Sequence, residues 1–228
     1  MIADFETFKI ELSLSKVEIC RELYHQNRGL IRIKKEHVAV KNLVRIIDST
    51  LRLTRSKGFH AMSLRDLCAD SGFSIGGLYA YIKNKDDLLY LIQSHGILLL
   101  RRTMLAYIQD IESPMDKLSA ALKAHVYLSE LMLAWFYFSY METKSLPERH
   151  KREAVAIELE IEDIFFGIIQ EGIASSLFRA VDARLLASLT KAMMQDWYLK
   201  RHKYRKQGVS VEQYPEFVRD VLASYLLR

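Results

Sequence analysis

Along most of the chain apolar residues recur three and four positions apart, the spacing of helices that bury one face, and the pattern as a whole predicts an all-α protein. Val40, Leu43, Val44, Ile47, Leu51 and Thr54 predict a helix from near Lys35 to Lys57, ended by Gly58, with Phe59 and Met62 plugging the core beyond it. An earlier helix is expected over Ser15–Asn27, with Val17, Cys20 and Tyr24 on one stripe, Ile19 and Leu23 beside it, and Gly29 at its end. From Lys85 the stripe Leu88, Leu91, Ile92, His95, Leu98, Leu99, Arg102 and Leu105 predicts one long helix, on which His95 reads as a packed or hydrogen-bonded side chain. Pro114 suits a first helical turn, and Leu118, Leu122, Val126, Ser129, Leu133 and Phe136 form the face that follows. Within it, Leu131–Met141 is apolar almost all round, which predicts a helix that is buried on every side or lines a cavity.

Pro147 separates that helix from the next, Glu148 to about Ile173, whose stripe is Ile157, Ile161, Ile164, Phe165, Ile168 and Ile169. Its acidic residues Glu158, Glu160, Glu162 and Asp163 have no His or Cys at ligand spacing and read as a solvated face. Asp182 caps a helix to about Tyr204, with Leu185, Leu189, Met193 and Trp197 on one edge and Leu186 and Thr190 beside them. Gly208 breaks the chain, and a last helix carries Phe217, Val218, Val221, Leu222, Tyr225 and Leu226. Its start is set either by Ser210 paired with Gln213 or by Pro215 in the first turn.

The densest run of helix signals is Ser63–Leu91. Ser63 with Asp66 has capping-box spacing, Ser74 opens a second short helix, and Asn84 opens a third with Asp86 and Asp87 in its first turn. Only Ser71-Gly72-Phe73 separates the first two, and a glycine there permits a sharp reversal. Two short helices joined by such a turn make a helix-turn-helix, which sets its second helix in the major groove of DNA. Gly76 and Gly77 inside that helix each disfavour it by roughly 1 kcal/mol relative to alanine. Either they let a bare backbone approach a phosphate or base edge, or they relieve crowding against the preceding long helix.

The residues Gly58-Phe59-His60-Ala61-Met62-Ser63-Leu64-Arg65-Asp66-Leu67, Ser71-Gly72-Phe73-Ser74 and Gly76-Gly77-Leu78-Tyr79-Ala80-Tyr81-Ile82-Lys83-Asn84-Lys85 resemble, over Val38–Ile92, the DNA-binding domain of the TetR/AcrR family of transcriptional regulators. The resemblance implies that Ser63 and Arg65 approach the DNA backbone or a base. It implies that Ser74, Gly76 and Tyr79, with Ile75, Gly77 and Ala80 on the same helix, meet phosphates or base edges. Lys85 then matches a phosphate-binding lysine, and Tyr81 an aromatic that supports the helix or meets the backbone. Gly77 stands where the family mostly has Thr or another small side chain, and Ala80 where a larger residue often reads a base, so base readout falls to Arg65, backbone groups, the Ala80 methyl or the Arg32–Lys35 arm. The family also implies a homodimer through the last two helices, here with Leu189, Trp197, Val218, Val221, Leu222 and Tyr225 at the interface. The apolar bulk of Met132, Trp135, Phe136, Phe138, Phe165, Phe166, Met193, Met194 and Trp197 suggests a small hydrophobic effector. The Leu146-Pro147 junction and the Trp197-Tyr198 helix are similar to acyl-CoA-sensing members, and on that likeness the basic end near Lys200–Lys206 meets the CoA phosphates.

Charge sharpens the picture. Between Arg28 and Arg65 ten Lys or Arg face two acids, whereas from Gln93 onward eighteen basic residues meet seventeen acidic ones, so the two halves have different partners. Leu30-Ile31-Arg32-Ile33-Lys34-Lys35 alternates apolar and basic residues, and Arg32, Lys34 and Lys35 are either an arm reaching the DNA backbone or minor groove or part of a linker or helix start. Two cysteines make no disulfide framework, and Cys68 reads as a packed thiol. No run is apolar enough to span a membrane and no basic-then-apolar leader opens the chain, which predicts a cytoplasmic protein. No nucleotide-binding glycine loop, nucleophile elbow or catalytic carboxylate pair is present, so neither catalysis nor a cofactor is expected. The expected organisation is an extension over 1–37, a helix-turn-helix domain over 38–84 and an effector-binding and dimerisation domain over 85–228. The expected function is a repressor that binds a palindromic operator as a dimer and is released by an acyl-CoA or fatty acid. A regulator controlled by a protein partner, and more remotely an enzyme with an appended helix-turn-helix, are the alternatives.

Overall fold

The computed structural model describes residues 4–12, 15–143, 146 and 148–227, and among them there are twelve helices and no strand. They are α1 Phe5–Leu12, α2 Lys16–Gln26, α3 Glu36–Lys57, α4 Leu64–Ser71, α5 Ile75–Leu78, α6 Lys85–Ile108, α7 Pro114–Leu131, α8 Leu133–Glu142, α9 Glu148–Ala174, α10 Ala183–Leu199, α11 Arg201–Lys206 and α12 Gln213–Leu226. The chain divides into two units, one of Ser13–Gly96 with Phe138–Ala154 and the other of Met1–Leu12, Ile97–Tyr137 and Val155–Arg228.

In the first unit α2 lies along α3. Ser15 caps α2 in a reciprocal pair with Glu18, and Ile19, Cys20, Leu23 and Tyr24 are buried, but Val17 is exposed. The helix ends at Asn27 rather than Gly29, because the Asn27 side chain donates to the Leu23 carbonyl at 2.9 Å and needs no left-handed residue. Since α2 and α4 both cover α3, its buried face is broader than one stripe: Ala39, Ile46 and Thr50 are buried with Val40, Leu43 and Ile47, while Val44, Leu51 and Thr54 are half-buried. On α6, His95 is buried with Nδ1 3.2 Å from Gln26 Oε1, and Gln93 donates to the Ser139 carbonyl at 2.8 Å. Leu98 and Leu105, expected on the α6 stripe, are exposed.

The second unit is built on α7, which packs with α1, α10 and α12. Ser113 caps it, Pro114 sits in its first turn, and every residue from Ala124 to Ser129 is buried. The all-round burial expected of Leu131–Met141 therefore belongs one helix earlier. That segment breaks at Met132, and Tyr137, Tyr140 and Met141 are exposed. Phe8 of α1 is buried against Tyr107 and Tyr127, with ring centroids at 5.3 and 5.5 Å. The acids of α9 are partnered as well as open to water: Glu160 and Asp163 are exposed, and Glu158 and Glu162 half-buried. Glu158 bonds Lys191 at 2.6 Å and Gln195 at 2.9 Å, Glu162 accepts from Ser188 at 2.6 Å, Asp163 pairs with Arg184, and Glu160 pairs with Arg101 at 2.8 Å. Pro147 and the Ile157 side chain lie outside the described residues; Ile161, Ile164, Phe165, Ile168 and Ile169 are buried.

The buried edge of α10 is rotated by one residue from the expected one: Leu186, Thr190, Met194 and Trp197 are buried, while Leu185 and Leu189 are 57% and 53% exposed. The helix also stops at Leu199, and a separate turn, α11, carries the basic residues. At the last helix both expected start signals operate. Ser210 and Gln213 exchange backbone-to-side-chain bonds of 2.9 and 3.1 Å, and Pro215 falls in the first turn. No helix among the described residues is long and apolar enough to cross a membrane.

Candidate nucleic-acid interface

Three caps set the geometry of the helix-turn-helix. Ser63 Oγ accepts from the Asp66 amide at 3.1 Å while Asp66 Oδ2 accepts from the Ser63 amide at 2.8 Å. Ser74 Oγ accepts from the Gly77 amide at 3.1 Å, and Asn84 Oδ1 from the Asp87 amide at 2.7 Å. Between α4 and α5, Gly72 adopts φ +72°, and a Cβ there would lie 2.8 Å from Arg45 Nη2. That guanidinium fills the turn: it donates to the Ser71 carbonyl at 2.5 Å and sits 4.8 Å from the Phe73 ring centre. Hydrogen bonds from Lys57, then from Ser63, hold the Asp66 carboxyl below the ordinary carboxylate range.

On the surface so formed, Ser63, Arg65, Ser74, Ile75, Gly76 and Tyr79 are exposed, and Gly77, Ala80 and Lys85 are half-buried. Tyr79 keeps 45% of its area open. Tyr81 is different: it is buried, and its hydroxyl accepts from Asn42 Nδ2 at 2.8 Å, the position of an aromatic that supports the helix. The Lys85 ammonium is also engaged, donating to the Phe59 and His60 carbonyls at 2.7 and 3.0 Å, which leaves one proton for a phosphate. The crowding explanation for the glycines does not hold. A Cβ at Gly76 would meet nothing within 4 Å, and one at Gly77 would meet Ser74 Oγ at 3.1 Å and Phe73, neither of them on α3.

The basic run is partly spent on structure. Arg52 pairs with Asp70 at 2.6 Å and Lys57 with Asp66 at 2.8 Å. Arg32, Lys34 and Lys35 are exposed on an extended segment, not a loose linker: the Arg32 amide donates to the Ala80 carbonyl at 2.8 Å. Of the cysteines it is Cys20 that is the packed thiol, pushed up to about 12 by burial, whereas Cys68 is half-buried.

The expected effector residues do not form one group. Met132, Trp135, Phe136, Phe165, Met194 and Trp197 are buried in the second unit, with Phe136 against Tyr198 at 5.4 Å and His125 at 6.3 Å. Phe138 belongs to the other unit, edge-on to Phe59 at 5.5 Å; Phe166 lies under Arg184 at 3.8 Å; Met193 lines the surface groove between α10 and α12. Burial, and then the charge of Lys191, lowers the His125 pKa to about 3, so the imidazole is neutral. His125 Nδ1 and Trp197 Nε1 are buried without a hydrogen-bond partner among the described residues. Lys200 and Lys203 both pair with Asp196, and Arg201 pairs with Glu130 at 2.8 Å, so much of the basic end is occupied within the chain.

Of the expected interface residues, Leu189, Val221 and Tyr225 are exposed, but Trp197, Val218 and Leu222 are buried in their own chain. Trp197 packs on Tyr204 and Tyr214 at 5.5 and 5.0 Å. Leu185 and Phe217, the latter 69% exposed, line a groove of about 1420 Å³ between α10 and α12 together with Leu189, Val218, Val221, Leu222 and Tyr225. The signal for Leu185 and Phe217 was spacing four from expected interface residues, Leu185 before Leu189 and Phe217 before Val221 and Tyr225.

Residues 46–90 match the family described as bacterial regulatory proteins, tetR family, and residues 112–222 match the tetracyclin repressor-like C-terminal domain. No curated protein matches the chain in sequence. Among solved structures, the fold is shared with PfmR, a TetR family transcriptional regulator of Thermus thermophilus, at 23% identity and TM-score 0.71 over 81% of this chain and 100% of that one. FadR of Bacillus subtilis, solved with stearoyl-CoA, is similar at 21% identity and TM-score 0.67 over 80% and 98%. AibR, solved with isovaleryl coenzyme A and operator DNA, is similar at 21% identity and TM-score 0.67 over 79% and 97%.

Proposed function

The chain belongs to the TetR family of transcriptional regulators, and from that premise we propose that it is a repressor that binds a palindromic operator as a homodimer and leaves it when a hydrophobic acyl-CoA or fatty acid binds. The observation that carries the DNA reading is α5, a one-turn helix whose Ile75, Gly76 and Tyr79 are open to solvent while Leu78 and Tyr81 are buried behind it. A helix so mounted inserts its outer face in the major groove, and a dimer spaces two of them by one helical turn or a multiple of it. The apolar groove between α10 and α12 supports the dimer, since a monomer would leave Leu185, Leu189 and Phe217 in water. The effector reading is supported by the buried Phe136 and Tyr198 rings beside His125, whose Nδ1 has no partner among the described residues, an apolar environment with a polar group left to satisfy. FadR and AibR, which share the fold and were each solved with an acyl-CoA, support the ligand class. As α6 runs without a break from Lys85 to Ile108, a tilt of that helix on effector binding would change the spacing of the recognition helices.

The test is a mobility shift on duplex DNA from upstream of the gene, with acyl-CoAs and fatty acids of increasing chain length added, read alongside thermal stability. Release of DNA together with a raised melting temperature is the expected result. Binding that no acyl-CoA or fatty acid releases would favour a regulator controlled by a partner protein instead, a reading supported by the complete burial of Phe165, Met194 and Trp197 within their own chain.

A further inference from the structure

We propose that the extended segment Leu30–Lys35, held in place by α2, forms a second DNA-contacting surface beside the recognition helix, which grips backbone phosphates flanking the half-site that α5 reads. The inference rests on the operator-binding reading above and extends it to a partner surface outside the helix-turn-helix.

The alternation of apolar and basic residues in this segment has a structural cause. In extended backbone successive side chains point to opposite sides. Ile31 is buried and Ile33 half-buried, while Arg32 and Lys34 are exposed on the other side and Lys35 is exposed at the start of α3. The segment is held at both margins. The Arg32 amide donates to the Ala80 carbonyl at 2.8 Å, two residues beyond the end of α5. The Tyr24 hydroxyl lies 3.0 and 3.1 Å from the Ile33 and Lys34 carbonyls. Helix α2, which carries Tyr24, is itself fixed, by Lys16 to Asp48 at 2.8 Å on α3 and by Gln26 to His95 at 3.2 Å on α6. A disordered arm would lose about 1–2 kcal/mol of backbone entropy for each residue that orders on DNA, and this segment is ordered beforehand.

The electrostatics suit a polyanion. The one carboxylate in the stretch from Arg28 to Ile47, Glu36, is engaged by Arg21 and His25 at 3.3 Å each, so it does not offset Arg32, Lys34 and Lys35. The bond from Arg32 to Ala80 puts the backbone of Arg32 against the residue two beyond the recognition helix, and Lys34 and Lys35 follow in the same short segment, so these cations flank any DNA that the helix enters. Phosphate contacts of this kind add affinity and orientation on any sequence, not base choice.

The experiment uses the full chain and duplex DNA from upstream of its gene, comparing wild type with the triple variant Arg32→Ala, Lys34→Ala, Lys35→Ala and with Tyr24→Phe. For the triple variant the slope of log affinity against log salt should become shallower by about 0.9 for each phosphate that is no longer neutralised, so that each such phosphate's share of the deficit changes about 3.5-fold over a fourfold change in salt. Hydroxyl-radical footprints should lose protection outside the half-site and keep it inside. Tyr24→Phe, which retains the ring, should weaken the same flanking protection. A wild-type footprint together with an unchanged slope and unchanged flanks in the triple variant would overturn this inference alone. A wild type that protects no DNA would overturn the operator reading and this one with it. Flanks unaltered in Tyr24→Phe would overturn the positioning role of Tyr24.

Discussion

Replacing Gly76 by alanine separates the needs of the helix from the needs of its DNA contact. The backbone at Gly76 is not left-handed, and a Cβ there meets no atom within 4 Å, so the methyl enters without strain. What remains is glycine's entropy in the unfolded chain and its poor helix propensity, together about 0.5–1 kcal/mol in favour of the variant. In a helix of only four residues the lower part of that range applies. If the bare backbone approaches a phosphate or base edge, the same methyl blocks a hydrogen bond to a charged or polar group. A lost bond of about 1.5–3 kcal/mol corresponds to tenfold or more in affinity. Urea denaturation followed by circular dichroism reads the first effect, and fluorescence anisotropy with labelled duplex reads the second. Greater stability with at least tenfold weaker binding is the expected pair of results. Unchanged affinity would refute the close-approach reading, and a loss of stability would refute the open environment of Gly76. Two neighbours calibrate the measurement. At Gly77 the added Cβ falls 3.1 Å from the same Ser74 Oγ that accepts its amide, so the cap, about 1 kcal/mol, opposes the propensity gain. At Gly72, with φ +72° and Arg45 Nη2 2.8 Å from the new Cβ, alanine should destabilise by about 1–2 kcal/mol.

Arg65→Ala should weaken operator binding by about 1–3 kcal/mol and relax one base position, and a mobility shift with unchanged affinity and sequence preference would contradict its assignment. Phe217→Glu sets a charge on the most exposed apolar side chain of the α10–α12 groove and should shift sedimentation from dimer toward monomer at micromolar concentration, with the fold kept. For Asp196, burial favours the neutral acid, but hydrogen bonds from Lys203, Tyr204 and Lys200 prevail and lower the pKa to about 2. A depressed carboxylate stabilises the fold above its unfolded value, near 3.8, and this contribution is lost as pH falls toward 2. Asp196→Asn should therefore be less stable than wild type at pH 7, with the gap closing between about pH 4 and 2; a gap independent of pH would refute the ion-pair account.

Features that depend on adjacent backbone were legible in the chain. The caps at Ser63, Ser74, Asn84 and Asp182 and the reversal at Gly72 all form, since each links groups two to four residues apart. Choices between faces were not. Helix α10 carries Leu185-Leu189 on one edge and Leu186-Thr190-Trp197 on the next, and only the elements that pack against it decide which is buried. The partners of the α9 acids were not legible either, because Arg184, Ser188 and Lys191 lie more than twenty residues away on α10. The break at Met132 has no glycine or proline to mark it.

For the candidate site the difficulty was of another kind, since counting cations overstates how many can reach phosphate. Arg45 is consumed by the Ser71 carbonyl and the Phe73 ring, Arg52 by Asp70, Lys57 by Asp66 and two of the three Lys85 protons by main-chain carbonyls. Arg45 braces the turn between α4 and α5, Arg52 and Lys57 tie α4 to α3, and Lys85 holds the segment before α4, so releasing one to bind DNA would cost the structural bond it already makes. Those still exposed near the helix-turn-helix, Arg32, Lys34, Lys35 and Arg65 among them, carry their charge in water and lose little when they turn to phosphate. Of these, Arg32, Lys34 and Lys35 precede the helix-turn-helix in sequence and are tied to it by the backbone bond from Arg32 to Ala80. The salt dependence of binding should thus follow Arg32, Lys34 and Lys35, which a motif alone would exclude, together with Arg65, while Arg45, Arg52 and Lys57 serve the structure.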